Sequence, residues 1–139
     1  VFDNDIGLLF GCASLHGTNP NDLRDELSYL YHYHLAPPAL RPKALDHLYT
    51  DMNIVPSKDL NLKETFQKLP PLIKGYSRAG SMIGKGAYID TQFNTTDVCV
   101  VLPTAFISDR YIKHYERLTG KTVSPEIIHL FAKYRSQTE

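Results

Sequence analysis

No net charge and no long apolar run mark this chain, and each absence removes a class of function. Lys and Arg total 15, Asp and Glu total 15, and the formal charge is +0. A protein that coats nucleic acid along a basic face needs many cations together to release counterions, so that role is excluded, while a small basic patch is not. No stretch approaches the roughly 20 apolar residues that cross a bilayer. Only two cysteines occur, Cys12 and Cys99. Neither belongs to a CxxC pair, which argues against a zinc site. Both sit in apolar, strand-like surroundings and read as buried thiols of a reducing compartment. Internal repeats and low-complexity segments are missing too. What remains, 139 residues with 42% hydrophobic and 22% charged, suits one globular domain around a single core. The chain opens Val1-Phe2-Asp3 and enters a strand almost at once, as expected of a piece of a longer protein.

Local signals predict alternating elements. Leu8 to Leu15 is a compact apolar run, too short for a helix and typical of a strand buried on both faces. Asn19 is a good N-cap and Pro20 suits a first helical turn. Leu23, Leu27, Leu30 and Tyr31 recur at helical spacing, so a helix is predicted over about Asn21 to Leu35, stopping before Pro37-Pro38. A weaker helix is predicted over Arg41 to Thr50, with Leu45 and Leu48 inward, and a connector over Asp51 to Leu60. Asn61 with Glu64 approaches a capping box. It starts a helix near Leu62 with Phe66 and Leu69 buried. Pro70-Pro71 restarts the chain as another helix, with Leu72, Ile73 and Tyr76 on its apolar face and Gly80 as its stop. Met82 to Asp90 and Asp97 to Leu102 read as paired strands, joined through Thr91 to Thr96. Ser108 caps a further helix carrying Tyr111, Ile112, Tyr115 and Leu118, ended by Gly120. A last helix starts at Ser124-Pro125-Glu126, with Ile127, Ile128 and Phe131 inward.

Several residues invite chemistry. His32 and His34 suggest a metal, but on a helix they point to nearly opposite sides and cannot chelate one ion. The glycine-rich run Gly80 to Gly86 follows a helix rather than a strand. It therefore lacks the setting of a phosphate-binding loop and reads as a helix stop followed by close backbone approach. Cys12, Ser14 and His16 alternate along the first strand and so share one face. They are either a nucleophile near a base or a polar strip lining a groove. No strand–turn–helix elbow surrounds Ser14, which favours the groove. Lys74, Arg78 and Lys85 lie around one helix-to-strand junction, as a solvated face or as a landing site for an acidic partner. Asp97 either caps its turn, the simpler role, or holds a substrate amine.

Three ordered blocks carry a specific resemblance. Leu9-Phe10-Gly11-Cys12-Ala13-Ser14-Leu15-His16-Gly17-Thr18-Asn19-Pro20, the run from Leu69 to Gly80, and Gly86 to Pro103 resemble blocks of the L-ornithine Nα-acyltransferases. This hemolysin-like family belongs to the GNAT superfamily, beside the acyl-homoserine lactone synthases. The resemblance reaches to about Tyr115.

It implies an α/β (α+β) fold: the C-terminal portion of a GNAT-like mixed sheet over residues 1–120, with a helical insertion at 21–60 and a helical tail at 121–139. It also implies N-acyl transfer. A fatty acyl group, often 3-hydroxylated, leaves the phosphopantetheine thioester of acyl carrier protein, or of acyl-CoA, for the α-amine of ornithine or another amino acid, and lyso-ornithine lipid results. No tightly bound cofactor, metal or nucleic acid is implied. Ser14 and His16, with Tyr76 as acid for the leaving thiolate, become the catalytic candidates. Cys12 and Asp97 become substrate contacts, and Lys74, Arg78 and Lys85 a carrier-protein dock. The family's N-terminal half, with a Gly-Arg-Ser block and the other wall of the thioester cleft, is not among these residues. A missing half, or a second copy, is therefore expected on the open sheet edge. A cytoplasmic protein peripheral to the inner membrane fits a lipid product. A non-catalytic module that pairs with another chain through that edge is the alternative of a different class.

Overall fold

The computed structural model describes residues 7–104, 113, 116–118 and 120. The first apolar run forms strand β1, Leu8–His16. The following Asn19 does not cap a helix directly. Its side chain accepts from the Asn21 amide at 3.0 Å, and Asp22 and Leu23 donate back to Asn19 and Pro20. This local turn delays helix α1 to Arg24–His34. Leu27 and Leu30 are fully buried, as their spacing predicts.

The predicted helix over Arg41 to Thr50 is not formed. The segment carries a 3-10 turn at Asp46–Leu48 between extended stretches, and Leu45 and Leu48 are exposed. Its backbone groups go instead to residues 83–87. Ala36 donates to Ile83, Ala44 to Lys85 and Lys85 to Pro42, while Thr50 and Ala87 exchange both bonds. A long-range partner has outbid local helix formation, since buried backbone groups need partners of either kind. Residues 35–50 thus form a strap along one sheet edge. The connector beyond is anchored from α1: the Ser28 hydroxyl donates to the Met52 carbonyl at 3.3 Å and accepts from the Val55 amide at 2.8 Å. Met52 is fully buried.

Asn61 caps helix α2, Leu62–Lys68, by accepting from the Glu64 amide at 3.1 Å. Leu69 is buried, and Phe66 packs partly buried against the core. Helix α3, Pro71–Ala79, has proline at its first turn, and Gly80 takes a left-handed φ of 100°. Gly80 donates to Ser77 and Ser81 to Tyr76, the paired bonds of a Schellman ending. Of the predicted apolar face only Ile73 is buried; Leu72 is 59% exposed and Tyr76 36%. Ile73 faces the core, while Leu72 lies a hundred degrees away around the helix.

The predicted strand over Met82 to Asp90 is two strands, β2 (Met82–Ile83) and β3 (Tyr88–Asp90). Both pair antiparallel with β4, Thr95–Pro103. Ile83 faces Val100 and Tyr88 faces Asp97, so residues 84–87 hold two more residues than the β4 stretch opposite. Glycine is required twice there. A Cβ on Gly84 would lie 2.9 Å from Pro42 of the strap, and one on Gly86, where φ is +87°, would lie 2.4 Å from the Tyr49 ring. Close backbone approach therefore explains the glycine-rich run.

β4 is central. β1 pairs with it antiparallel over nine positions, from Leu8↔Pro103 to His16↔Thr95, and β2 and β3 lie on its other side. This α+β arrangement, with the last strand inserted between earlier ones, is compatible with the expected GNAT-like order. Among the described residues all four strands pair antiparallel, and parallel pairing is confined to isolated bridges from the strap. The helices cover one face, where Ala13, Leu15, Leu27, Leu30, Ile73, Val98 and Val100 form a common core. The expected stop at Gly120 is present: its φ is +68° and its amide donates to Glu116 at 2.9 Å. Leu118 is exposed. Ser108, Tyr111, Ile112, Tyr115 and the helix from Ser124 lie outside the described residues.

Candidate active site

The two faces of the β1–β4 pair differ in chemistry because side chains alternate. Ala13 and Leu15 point to the helices and are buried, while Cys12, Ser14 and His16 lie on the opposite, exposed face. β1 is therefore not buried on both faces. Leu8, Leu9 and Phe10 are also exposed, Phe10 by 78%, because the apolar run lies on an edge strand where the helix layer ends.

Asp97 sits directly across from Ser14. The Ser14 hydroxyl donates to Asp97 Oδ1 at 2.6 Å and the Thr95 hydroxyl to the same oxygen at 2.9 Å. Asp97 is thus not the turn cap. Asp90 has that role, accepting from the Phe93 amide at 3.1 Å. Residue spacing alone could not separate the two carboxylates; only the β1–β4 register brings Ser14 to Asp97. The second oxygen of a half-buried carboxylate held this way suits a cationic or amine ligand. Thr95 completes the cluster and was not anticipated from the sequence.

Cys12 and Cys99 also face each other across the strands. Cys12 is exposed and Cys99 half-buried, so the two are not core thiols. Burial first, and the neighbouring Cys12 second, push the Cys99 thiol pKa up, which disfavours its thiolate.

The edge of β1 away from β4 has no strand beside it among the described residues. Gly7 accepts from Thr104, and Gly17 donates to Asn94. These two bonds set the phase of the ladder, because pairing alternates along an antiparallel strand. Odd-numbered residues of β1 bond to β4, and the backbone groups of Leu8, Phe10, Cys12, Ser14 and His16 point to the open edge. The polar strip and a row of outward N–H and C=O groups thus belong to the same residues.

Tyr76 is not with Ser14, His16 and Asp97. It stands on α3, on the helix side of the sheet. There it lines a cavity of about 170 Å³ with Leu9, Gly11, Ser81, Val100 and Leu102. Cys12 borders the same cavity, so Tyr76 and the polar strip approach the open edge from opposite sides. The expected cationic trio is divided as well. Lys74 and Arg78 lie over the Phe66 ring, at 6.0 and 5.3 Å from its centre, whereas Lys85 is in the β2–β3 bulge and bridges to Lys43 of the strap. His32 is occupied by the Val55 carbonyl, 2.8 Å from its Nε2. His34 packs on Tyr29, and burial lowers its pKa. Among the described residues no group of three or more His, Cys, Asp or Glu side chains is placed to hold a metal.

No protein-family model matches the chain, and no solved structure does. Curated proteins do. The L-ornithine Nα-acyltransferase of Agrobacterium fabrum is 46% identical over 116 residues, covering 81% of this chain and 40% of the relative. That of Brucella abortus is 45% identical over 112 residues, with 81% and 40% covered. That of Rhodobacter capsulatus is 39% identical over 117 residues, with 84% and 44% covered. The match falls on the C-terminal part of these proteins, and the chain spans about 40% of the length of the first relatives. Over that part, the chain is similar to the L-ornithine Nα-acyltransferases.

Proposed function

We propose that the chain forms the β1-side wall of an N-acyltransferase site that moves a fatty acyl group, typically 3-hydroxylated, from acyl carrier protein to the α-amine of ornithine, giving lyso-ornithine lipid. One observation carries this reading: a chain 39–46% identical to named ornithine acyltransferases holds a carboxylate, Asp97, between two hydroxyls beside an open strand edge. Asp97 receives the ornithine ammonium. His16, two residues from Ser14 on the same face, is the candidate base for the proton whose loss frees the amine lone pair. The amine nitrogen attacks the thioester carbonyl. The carbon–nitrogen bond forms, the carbon–sulfur bond breaks, and the thiolate takes a proton, for which Tyr76 is the candidate donor. Outward amides of Phe10, Cys12 or Ser14 are suited to polarise the carbonyl oxygen. Ser14 positions Asp97 and is not itself a nucleophile. Cys12 borders the thioester path.

Lys74 and Arg78 offer the acidic carrier protein a cationic helix, while Lys85 stands apart on the bulge. The rest of the site comes from residues beyond this chain, in the same polypeptide or a second copy. The donor thioester is a co-substrate, and the reaction uses no resident cofactor. No helix among the described residues is long and apolar enough to cross a membrane. A cytoplasmic enzyme that touches the inner leaflet to release its lipid product agrees with the reading.

The test uses full-length protein containing this chain, 3-hydroxyacyl thioesters of acyl carrier protein and of CoA, and a panel of amino acids. Mass spectrometry should find the ornithine amide from the carrier-protein donor. Product from acyl-CoA alone, or from another amine alone, would replace the donor or acceptor. No amide with any pair would leave a non-catalytic module that pairs through its open edge.

A further inference from the structure

Ser81 is 5% exposed, and its hydroxyl has no hydrogen-bond partner. Such a group ordinarily finds one, because leaving it unpaired costs about 1–3 kcal/mol. Its position is fixed from the backbone. Ser81 follows the Gly80 stop, and its amide is committed to the Tyr76 carbonyl at 3.0 Å. The Schellman ending therefore delivers the side chain to the wall of the cavity between α3 and the β1–β4 pair. The other walls are mainly apolar, Leu9, Phe10, Val100 and Leu102 with Cys12 at the border, and Gly11 leaves open the space that a Cβ would occupy. The Tyr76 ring closes the helix side. At about 170 Å³ the cavity compares with a dry cavity of about 150 Å³ that takes benzene, and so accepts on the order of six carbons.

We infer that this cavity binds a stretch of aliphatic chain bearing a hydroxyl, and that Ser81 is the residue that distinguishes hydroxylated from plain chains. This deepens the acyl-transfer reading and rests on it for the identity of the chain. Ser81 Oγ is closed off from solvent; a turn about its χ1 brings it to the cavity, where the alcohol of the ligand gives it the partner it lacks, while the methylenes meet Leu9, Val100 and Leu102. A plain chain fills the same space and leaves Ser81 unpaired, which is the basis of selection. The cavity and the Asp97 cluster lie on opposite faces of the sheet and meet at the open edge, so acyl tail and amine do not compete for space.

Calorimetric titration of full-length protein with 3-hydroxydodecanoate and with dodecanoate reads this without turnover. The hydroxy acid should bind about tenfold more tightly, from one added hydrogen bond. Ser81→Ala should bind the two acids equally and keep its affinity for dodecanoate. Its fold is safe, since no bond is removed with the hydroxyl. Gly11→Leu should weaken both acids. Equal affinities in the native protein, or a preference that survives in Ser81→Ala, would overturn the role of Ser81. Undiminished binding in Gly11→Leu would overturn the cavity. Should these binding results hold while no amide forms in the transfer assay, the acyl-transfer reading fails and the cavity stands.

Discussion

Asp97 and Asp90 are seven residues apart, and the fold gives them different work. Asp90 holds a turn and Asp97 is held by Ser14 and Thr95. If the proposed acyl transfer holds, Asp97→Ala in the full-length protein should lower ornithine acylation about 100-fold, the scale of a lost charge or proton-transfer contact, with a stability loss of only about 1–2 kcal/mol. Asp90→Ala should cost similar stability and leave kcat/KM for ornithine unchanged. Steady-state kinetics beside thermal melts separates the two. His34 supplies a pH dependence. Burial places its folded pKa below the ordinary 6.5, so the unfolded chain binds the proton more readily. Its contribution to stability is full above pH 6.5 and is lost as pH falls through the lower folded value. Melting temperature should therefore decline on acidification below pH 6.5, and His34→Asn should flatten that decline.

Glycine shows how an element decides the sign of a substitution. Gly75 lies inside α3 with open space where a Cβ would stand, so Gly75→Ala should raise stability by about 0.5–1 kcal/mol. Gly86, left-handed and against the Tyr49 ring, should lose about 2 kcal/mol or more on the same change. Chemical denaturation of both variants checks this. Elements whose cause is local were legible in the sequence. Asn61 announced α2, and Pro70-Pro71 with Gly80 bracketed α3. The strap was not legible, because Ala36, Pro42, Ala44 and Thr50 bond through their backbone to residues 83–87, and no local pattern records such a partner. The site divided in the same way. Cys12, Ser14 and His16 share a face by strand parity alone. The bond from Ser14 to Asp97, and the separation of Tyr76 from both, depend on a register between segments more than 80 residues apart.

Taken as one body, the domain has unequal borders. The strap closes the β2–β3 side, while β1 leaves backbone groups and the 78% exposed Phe10 to solvent. Such an edge invites pairing with another strand. The 139-residue chain alone should self-associate as concentration rises, and Phe10→Lys should shift sedimentation toward the monomer. Full-length protein should respond much less if its remaining residues already cover this edge. The uninterrupted β1–β4 ladder also ties two properties to one parity: the even positions from Cys12 to His16 carry both the polar side chains and outward amides. Deleting one residue near the middle of the strand would therefore do more than shorten it. Over the displaced half, imidazole and hydroxyl would turn toward the oily interior while leucine turned outward. Frame-preserving losses in this strand should accordingly be far less tolerated than point changes at its exposed positions.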